Sequence, residues 1–210
     1  MQLRGKISSF VIMFQPDGLR RLFSLPVQEF TDAAGDARLV LGALISHLWQ
    51  VLGNLASFER RARAANDSLL RQADRSQAAS GMSRAMNFFV YARGCCNIKA
   101  LADGMGLSSR HFGRRFIERA GVSPKLFAKL VRFQAALEIK ALCTGKSWTE
   151  IAHRFGYYDQ MHMIHNFEQL AGGSPKELLA HLEAVFVDPI RQIRSHATPR
   201  VAIPNSRLTL

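Results

Sequence analysis

Two segments in the middle of the chain carry the same ordered set of residues about fifty positions apart. The offset is 50 residues in the first part of each copy and 51 in the second part. Chance rarely produces such an ordered set, so the sequence predicts two copies of one supersecondary unit. The paired positions are Leu101 and Ile151, Ala102 and Ala152, Gly106 and Gly156, Phe112 and Met163, Phe116 and Phe167, Gly121 and Gly172, Ser123 and Ser174, and Pro124 and Pro175.

Each copy begins with a short amphipathic stretch, at Ile98 to Met105 and at Trp148 to Phe155. A glycine follows, where a tight turn requires backbone that tolerates positive φ. Ser108 and Asp159 then stand where helix N-caps belong. Helix, glycine turn and second helix form the helix-turn-helix plan, in which the second helix enters the major groove of DNA.

The second helix of each copy has apolar residues at four-residue spacing, which predicts one buried face. These residues are Phe112, Phe116 and Ala120 in the first copy, and Met163, Phe167 and Ala171 in the second. Gly121 and Gly172 fit the position just past the helix C-terminus. The Ser-Pro pairs that follow predict the start of a further helix, with serine as N-cap and proline at the first helical position.

A long helix is predicted between the two copies, from Ser123 to about Cys143. Such a helix spans roughly 30 Å at 1.5 Å per residue, which is close to the ~34 Å pitch of a DNA turn. We therefore expect one chain to place two recognition helices in successive major grooves without dimerising.

Charge and composition narrow the class of protein. The chain has 210 residues and a formal net charge of +12, which favours a polyanionic partner. Residues 81–186 carry 14 Lys and Arg against 8 Asp and Glu, so the repeat region holds half of this excess. No apolar stretch approaches the ~20 residues of a membrane span. The absence of a secretory signal and of a cysteine framework predicts a cytoplasmic protein without membrane contact.

The second copy resembles the signature of the AraC/XylS family of bacterial transcription regulators. The matching residues are Ile151, Ala152, Gly156, Tyr157, Asp159, Gln160, His162, Phe167, Gly172, Ser174 and Pro175. The first copy, from Leu101 through Pro124, resembles it as well, and the resemblance covers about residues 82–182. It departs at Met161 and Met163, where the family commonly has serine and then an aromatic residue, and at His165, where arginine is common.

The resemblance implies a mainly α fold: a homeodomain-like double helix-turn-helix domain with a linker helix. It implies double-stranded DNA as ligand, RNA polymerase as partner, a bacterial nucleoid location and no enzymatic activity or cofactor. DNA contacts are expected at Ser109, Arg110, Gly113, Arg114 and Arg115 in the first copy, and at Gln160, Met161, Ile164 and His165 in the second.

Each of these residues also has a simpler interpretation. Arg110 and Arg114 either grip guanine or phosphate or belong to a solvated basic face, and Arg115 and Arg119 are phosphate contacts or plain surface. Gly113 either allows close approach to the duplex or is merely tolerated at a cost of about 1 kcal/mol.

In the second copy, Gln160 suits adenine, whereas Met161 and Ile164 either touch thymine methyl groups or pack against the other subdomain. His162 is assigned to capping or packing. No metal site is predicted from His153, His162 and His165, because no cysteine or carboxylate completes a ligand set.

The first third of the chain predicts a strand at Ile7 to Phe14, short pieces at Leu19 to Phe23 and Val27 to Phe30, and helices at Ala37 to Leu52 and Phe58 to Leu70. Phe14 to Asp32 faintly resembles the end of the sensor domain in one branch of the family. We therefore expect residues 1–78 to be the remnant of a truncated sensor and dimerisation domain, with residues 37–75 as a homodimer interface.

Residues 79–186 are then predicted to be the DNA-binding domain, and residues 187–210 a flexible basic tail. Two alternative functions stay open. One is a DNA-repair methyltransferase that uses Cys95 or Cys96, although buried structural thiols are the favoured interpretation of that pair. The other is an interaction protein that does not bind DNA productively.

Overall fold

The computed structural model describes residues 10–31, 33–74 and 80–182. These ranges contain eleven α-helices, one 3-10 helix and no β-strand. The chain divides between Ala128 and Lys129 into two compact units, the first unit and the second unit. The helices are α1 (Gly18–Phe23), the 3-10 helix (Val27–Phe30), α2 (Ala37–Leu41), α3 (Ala43–Gly53), α4 (Phe58–Ala73), α5 (Gly81–Tyr91), α6 (Ile98–Gly104), α7 (Ser109–Ala120), α8 (Pro124–Leu142), α9 (Trp148–Arg154), α10 (Gln160–Ala171) and α11 (Pro175–Leu182).

The mainly α prediction is confirmed, but the predicted strand at Ile7 to Phe14 is not seen. Residues 10–14 form neither helix nor strand, and residues 7–9 lie outside the described ranges. A strand needs a hydrogen-bonded partner, and the described ranges offer none. The predicted basic tail at 187–210 also lies outside them. No helix in these ranges is both long and apolar enough to cross a bilayer.

The single helix predicted over Ala37 to Leu52 is two helices, α2 and α3. They meet at Gly42, whose φ of 74° and ψ of −158° lie in a region that glycine alone adopts readily. The apolar periodicity continues through this break, so the pattern predicted the helices but not their junction.

The first unit has a core of aromatic side chains from α5, α7 and the start of α8. Phe89, Phe112 and Phe116 are fully buried. The Phe116 ring centroid lies 5.2 Å from that of Phe89 and 5.3 Å from that of Phe127. These spacings are those of favourable tilted and edge-to-face ring pairs. One face of α7 is therefore buried in this core, and the opposite face is exposed.

The second unit has its own core, built from the later part of α8, α9 and α10. Ile151, Met163 and Phe167 are fully buried. The Phe133 ring packs on Phe167 with centroids 4.5 Å apart. The repeat in the sequence thus corresponds to two separately packed helix-turn-helix units.

Within the first unit, the N-terminal segment packs against the C-terminal end of α7. The 3-10 helix contacts α7 directly. The Thr31 hydroxyl donates a hydrogen bond to the Gly121 carbonyl at 3.3 Å, and Arg20 donates one to the Glu118 carbonyl at 3.4 Å. The segment before α2 is therefore attached to the end of α7 by specific polar contacts.

The two C-terminal glycines of α7 and α10 provide a matched test of this attachment. Both have a left-handed backbone, with φ of 76° at Gly121 and 72° at Gly172. A Cβ at Gly172 would meet nothing within 4 Å, whereas one at Gly121 would lie 2.4 Å from the Thr31 hydroxyl oxygen. We expect Gly172→Ala to cost about 1–2 kcal/mol for the backbone conformation alone. Gly121→Ala should cost about 1 kcal/mol more, because Thr31 must give up its hydrogen bond.

Urea unfolding of the full chain measures both costs. The double variant Thr31→Ala with Gly121→Ala serves as control. It should show little further loss beyond Gly121→Ala, because the bond is already broken. Equal costs for Gly121→Ala and Gly172→Ala would contradict the contact between Thr31 and α7.

Candidate nucleic-acid interface

The first helix-turn-helix unit consists of α6, a tight turn and α7. Gly106 in the turn has φ of 65°, a value that favours glycine. Ser108 caps α7 as predicted, because its hydroxyl accepts the His111 backbone N–H at 3.3 Å. With Phe112 and Phe116 buried on the inner side, α7 is held as an amphipathic helix with one open face.

The open face of α7 carries the residues predicted to contact DNA. Ser109, Arg110, Arg114 and Arg115 are exposed, and Gly113 is partly buried. Within the described part of the chain, neither Arg110 nor Arg115 has a hydrogen-bond or ion-pair partner. A Cβ at Gly113 would meet no atom within 4 Å, so packing within the protein does not require glycine there.

Arg114 has one weak partner on its own helix. Its Nε lies 3.9 Å from a Glu118 carboxylate oxygen, and the two side chains are 71% and 56% exposed. Such exposed pairs stabilise a helix by only a few tenths of a kcal/mol. The Arg114 guanidinium is therefore available to a phosphate or a base edge.

Arg119, predicted to be a phosphate contact or plain surface, has a structural partner instead. Its Nη1 lies 3.4 Å from Oδ2 of Asp17, whose side chain is fully buried. The Ser83 hydroxyl donates to the same carboxylate oxygen. Asp17 thus links the N-terminal segment to α5 and α7. In the sequence, Pro16-Asp17-Gly18 indicates a turn, but nothing local marks a partner 102 residues away.

The second helix-turn-helix unit consists of α9, a turn and α10. Asp159 caps α10 as predicted, with its carboxylate accepting the His162 N–H at 2.7 Å. The His162 ring Nδ1 in turn accepts the Tyr158 N–H at 3.3 Å, and the ring packs edge-on against Tyr157. His162 therefore fastens the turn to the helix, in keeping with its assignment to capping or packing.

The open face of α10 differs in chemistry from that of α7. Met161 is 69% exposed, His165 is exposed, and Gln160 and Ile164 are partly buried. Both polar side chains have partners within the second unit. The Thr149 hydroxyl donates to Gln160 Oε1 at 2.7 Å, and Gln169 Nε2 lies 2.7 Å from His165 Nε2. The open face of α10 thus carries two apolar side chains, Met161 and Ile164, and two polar side chains that have partners within the second unit.

Helix α9 begins with a capping box that is sensitive to acid. The Glu150 carboxylate accepts the Ser147 backbone N–H at 2.7 Å and the Ser147 hydroxyl at 2.8 Å, and these bonds lower the pKa of Glu150 below its usual 4.5. Because the pKa of Glu150 is lower in the folded chain than in the unfolded chain, the charged capping box stabilises the fold fully above about pH 4.5. This stabilisation is lost as the pH falls through the folded-state value.

We therefore expect Glu150→Gln to lower the Tm at neutral pH and to have a shrinking effect as the pH falls below about 4.5. Thermal unfolding across that range measures the difference. Glu177→Gln is the matched variant, because Glu177 at the start of α11 also has its pKa lowered by bonds from Ser174. A difference that stays constant with pH would contradict the role of the carboxylate.

The cysteine pair is less buried than predicted. Cys95 is exposed and Cys96 partly buried, because they lie in the turn after α5 rather than inside a helix. The interpretation as two buried thiols is therefore wrong for Cys95. The three cysteines all fall in the described ranges and form no disulfide. No cluster of three potential metal ligands occurs among the described residues.

Residues 101–181 match the family described as a helix-turn-helix domain. No curated protein and no solved structure gives a significant match to the chain. The family match begins within α6 and ends within α11, so it covers α7 to α10 in full.

Geometry and family match together identify residues 101–181 as a DNA-binding domain of transcription regulation, of a kind that binds rather than catalyses. The domain is of the AraC/XylS type, which confirms the resemblance seen in the repeat.

Proposed function

We propose that the protein binds double-stranded DNA sequence-specifically, with α7 and α10 as recognition helices in successive major grooves of one duplex. The observation that carries this proposal is the pair of amphipathic helices, each following a glycine turn. Each has a buried inner face and an outer face open to a ligand. A recognition helix in the major groove is the common docking mode of such units.

In this proposal the first unit supplies most of the electrostatic attraction. Arg110, Arg114 and Arg115 lie on the open face of α7, where they neutralise phosphates or bind guanine O6 and N7. Ser109 donates to a phosphate at the helix N-terminus, and Gly113 lets the duplex approach the helix. The second unit adds base selection through Gln160, Met161, Ile164 and His165.

Two protein partners belong to the same proposal. RNA polymerase is the partner through which a bound regulator of this type acts. A second copy of the chain is proposed to bind through residues 37–75. In the described part of that segment, Leu39, Trp49 and Leu70 are 86%, 65% and 45% exposed. The proposal requires these side chains to form one contiguous apolar patch, because such patches, unlike single exposed apolar residues, mark protein contacts.

The deciding experiment is selection of bound duplexes from a random pool by the full chain, followed by gel-shift titration of the enriched sequence at several salt concentrations. We expect one enriched site with two conserved blocks about one helical turn apart and an affinity that falls with salt. Enrichment of no sequence would overturn sequence-specific binding. A single block would overturn the use of both recognition helices.

A further inference from the structure

The two recognition faces differ in chemistry in a way that predicts what the second one recognises. The open face of α7 carries three exposed arginines. The open face of α10 carries Met161 and Ile164 three residues apart, which puts them side by side on the helix. Apolar side chains form no ion pair or strong hydrogen bond with phosphates. If α10 enters the groove, this pair must therefore contact something other than the DNA backbone.

The polar residues beside this pair are already engaged. Gln160 Oε1 accepts the Thr149 hydroxyl at 2.7 Å, and His165 Nε2 lies 2.7 Å from Gln169 Nε2. These contacts hold the two side chains at the edges of the face. They also occupy Gln160 Oε1 and His165 Nε2, which leaves fewer polar atoms for hydrogen bonds to bases. Met161 lies between them on the helix, and this large apolar side chain is 69% exposed.

In the major groove the only apolar group on a base edge is the methyl on C5 of thymine, and 5-methylcytosine carries the same group. We propose that Met161 and Ile164 form a 5-methylpyrimidine recognition site, so that α10 selects its base pairs chiefly by methyl contact. This inference rests on the proposed function, because it assumes that α10 lies in the groove.

Removal of single methyl groups from the enriched site tests this proposal. Each thymine is replaced in turn by deoxyuridine, which keeps all hydrogen-bonding groups and lacks only the methyl. At one or two positions we expect binding to weaken about fourfold, which corresponds to the ~0.8 kcal/mol of one buried methyl group. At such a position, 5-methylcytosine paired with guanine should bind better than cytosine by a similar factor.

Protein variants assign the effect to α10. Met161→Gln keeps the length and helix propensity of the side chain, and it should abolish the deoxyuridine effect at the sensitive position. Arg114→Ala is the matched control on α7. It should weaken binding to every duplex and leave the deoxyuridine effect unchanged.

The outcomes separate this inference from the function on which it rests. Failure to enrich any sequence overturns the proposed function itself. An enriched site that tolerates deoxyuridine at every thymine overturns methyl recognition alone. Persistence of the deoxyuridine effect in Met161→Gln overturns the assignment to Met161. Equal binding of cytosine and 5-methylcytosine restricts the site to thymine and removes 5-methylcytosine from the proposal.

Discussion

Phe116→Ala should lower the free energy of unfolding of the first unit by about 3–5 kcal/mol, the range for large buried aromatic residues. Phe116 is fully buried, and its ring contacts those of Phe89, Phe112 and Phe127 at centroid distances of 5.2, 5.7 and 5.3 Å. Its loss leaves a cavity beneath α7. Because whole domains are stable by only about 5–15 kcal/mol, this one change should make the unit marginal.

Urea unfolding followed by circular dichroism measures the loss. Phe88→Ala is the matched control, because Phe88 lies beside Phe89 on α5 but is 44% exposed. It should cost well under half as much. Phe116→Leu should fall between the two, because it refills part of the cavity. A cost for Phe116→Ala similar to that for Phe88→Ala would contradict the aromatic core of the first unit.

Features that depend on neighbouring residues were predictable from the sequence. The structure confirms the N-caps at Ser108 and Asp159 and the glycines after α7 and α10. They could be predicted because four or five neighbouring residues determine a helix cap or a left-handed turn. The four-residue apolar spacing also placed the buried faces correctly. It was less accurate in the last turn of each helix, where Ala120 is partly buried and Ala171 is exposed.

Contacts between side chains of different structural elements were not predictable. The ion pair of Arg119 with Asp17 spans 102 residues, and the bond between Thr149 and Gln160 links two helices of one unit. Spacing predicts which face of a helix a residue occupies, but not which side chain from another element meets it. For this reason the sequence assigned Arg119 to a phosphate contact or plain surface, and it predicted for Gln160 only a contact with adenine. The roles of the nine predicted contact residues toward DNA stay predictions.

Arg114→Ala should weaken binding to the selected duplex about tenfold or more, in line with the ~1–3 kcal/mol typical of an arginine at a base edge. The ion pair with Glu118 should change this effect little, because the two groups are 3.9 Å apart and more than half exposed, so the pair is weak. If Arg114 contacts a phosphate, the slope of log affinity against log salt should also become shallower by about one. Titrations by gel shift or fluorescence anisotropy at several salt concentrations give both quantities.

Two further variants determine what Arg114 contacts. Arg114→Lys keeps the charge but lacks the two-pronged guanidinium. It should restore most of the affinity if the partner is a phosphate, and little of it if the partner is guanine. His165→Ala on α10 should have the smaller effect on both affinity and salt slope, because its ring nitrogen is already within 2.7 Å of Gln169. Equal effects of Arg114→Ala and His165→Ala on both measures would contradict the electrostatic dominance of the first recognition helix.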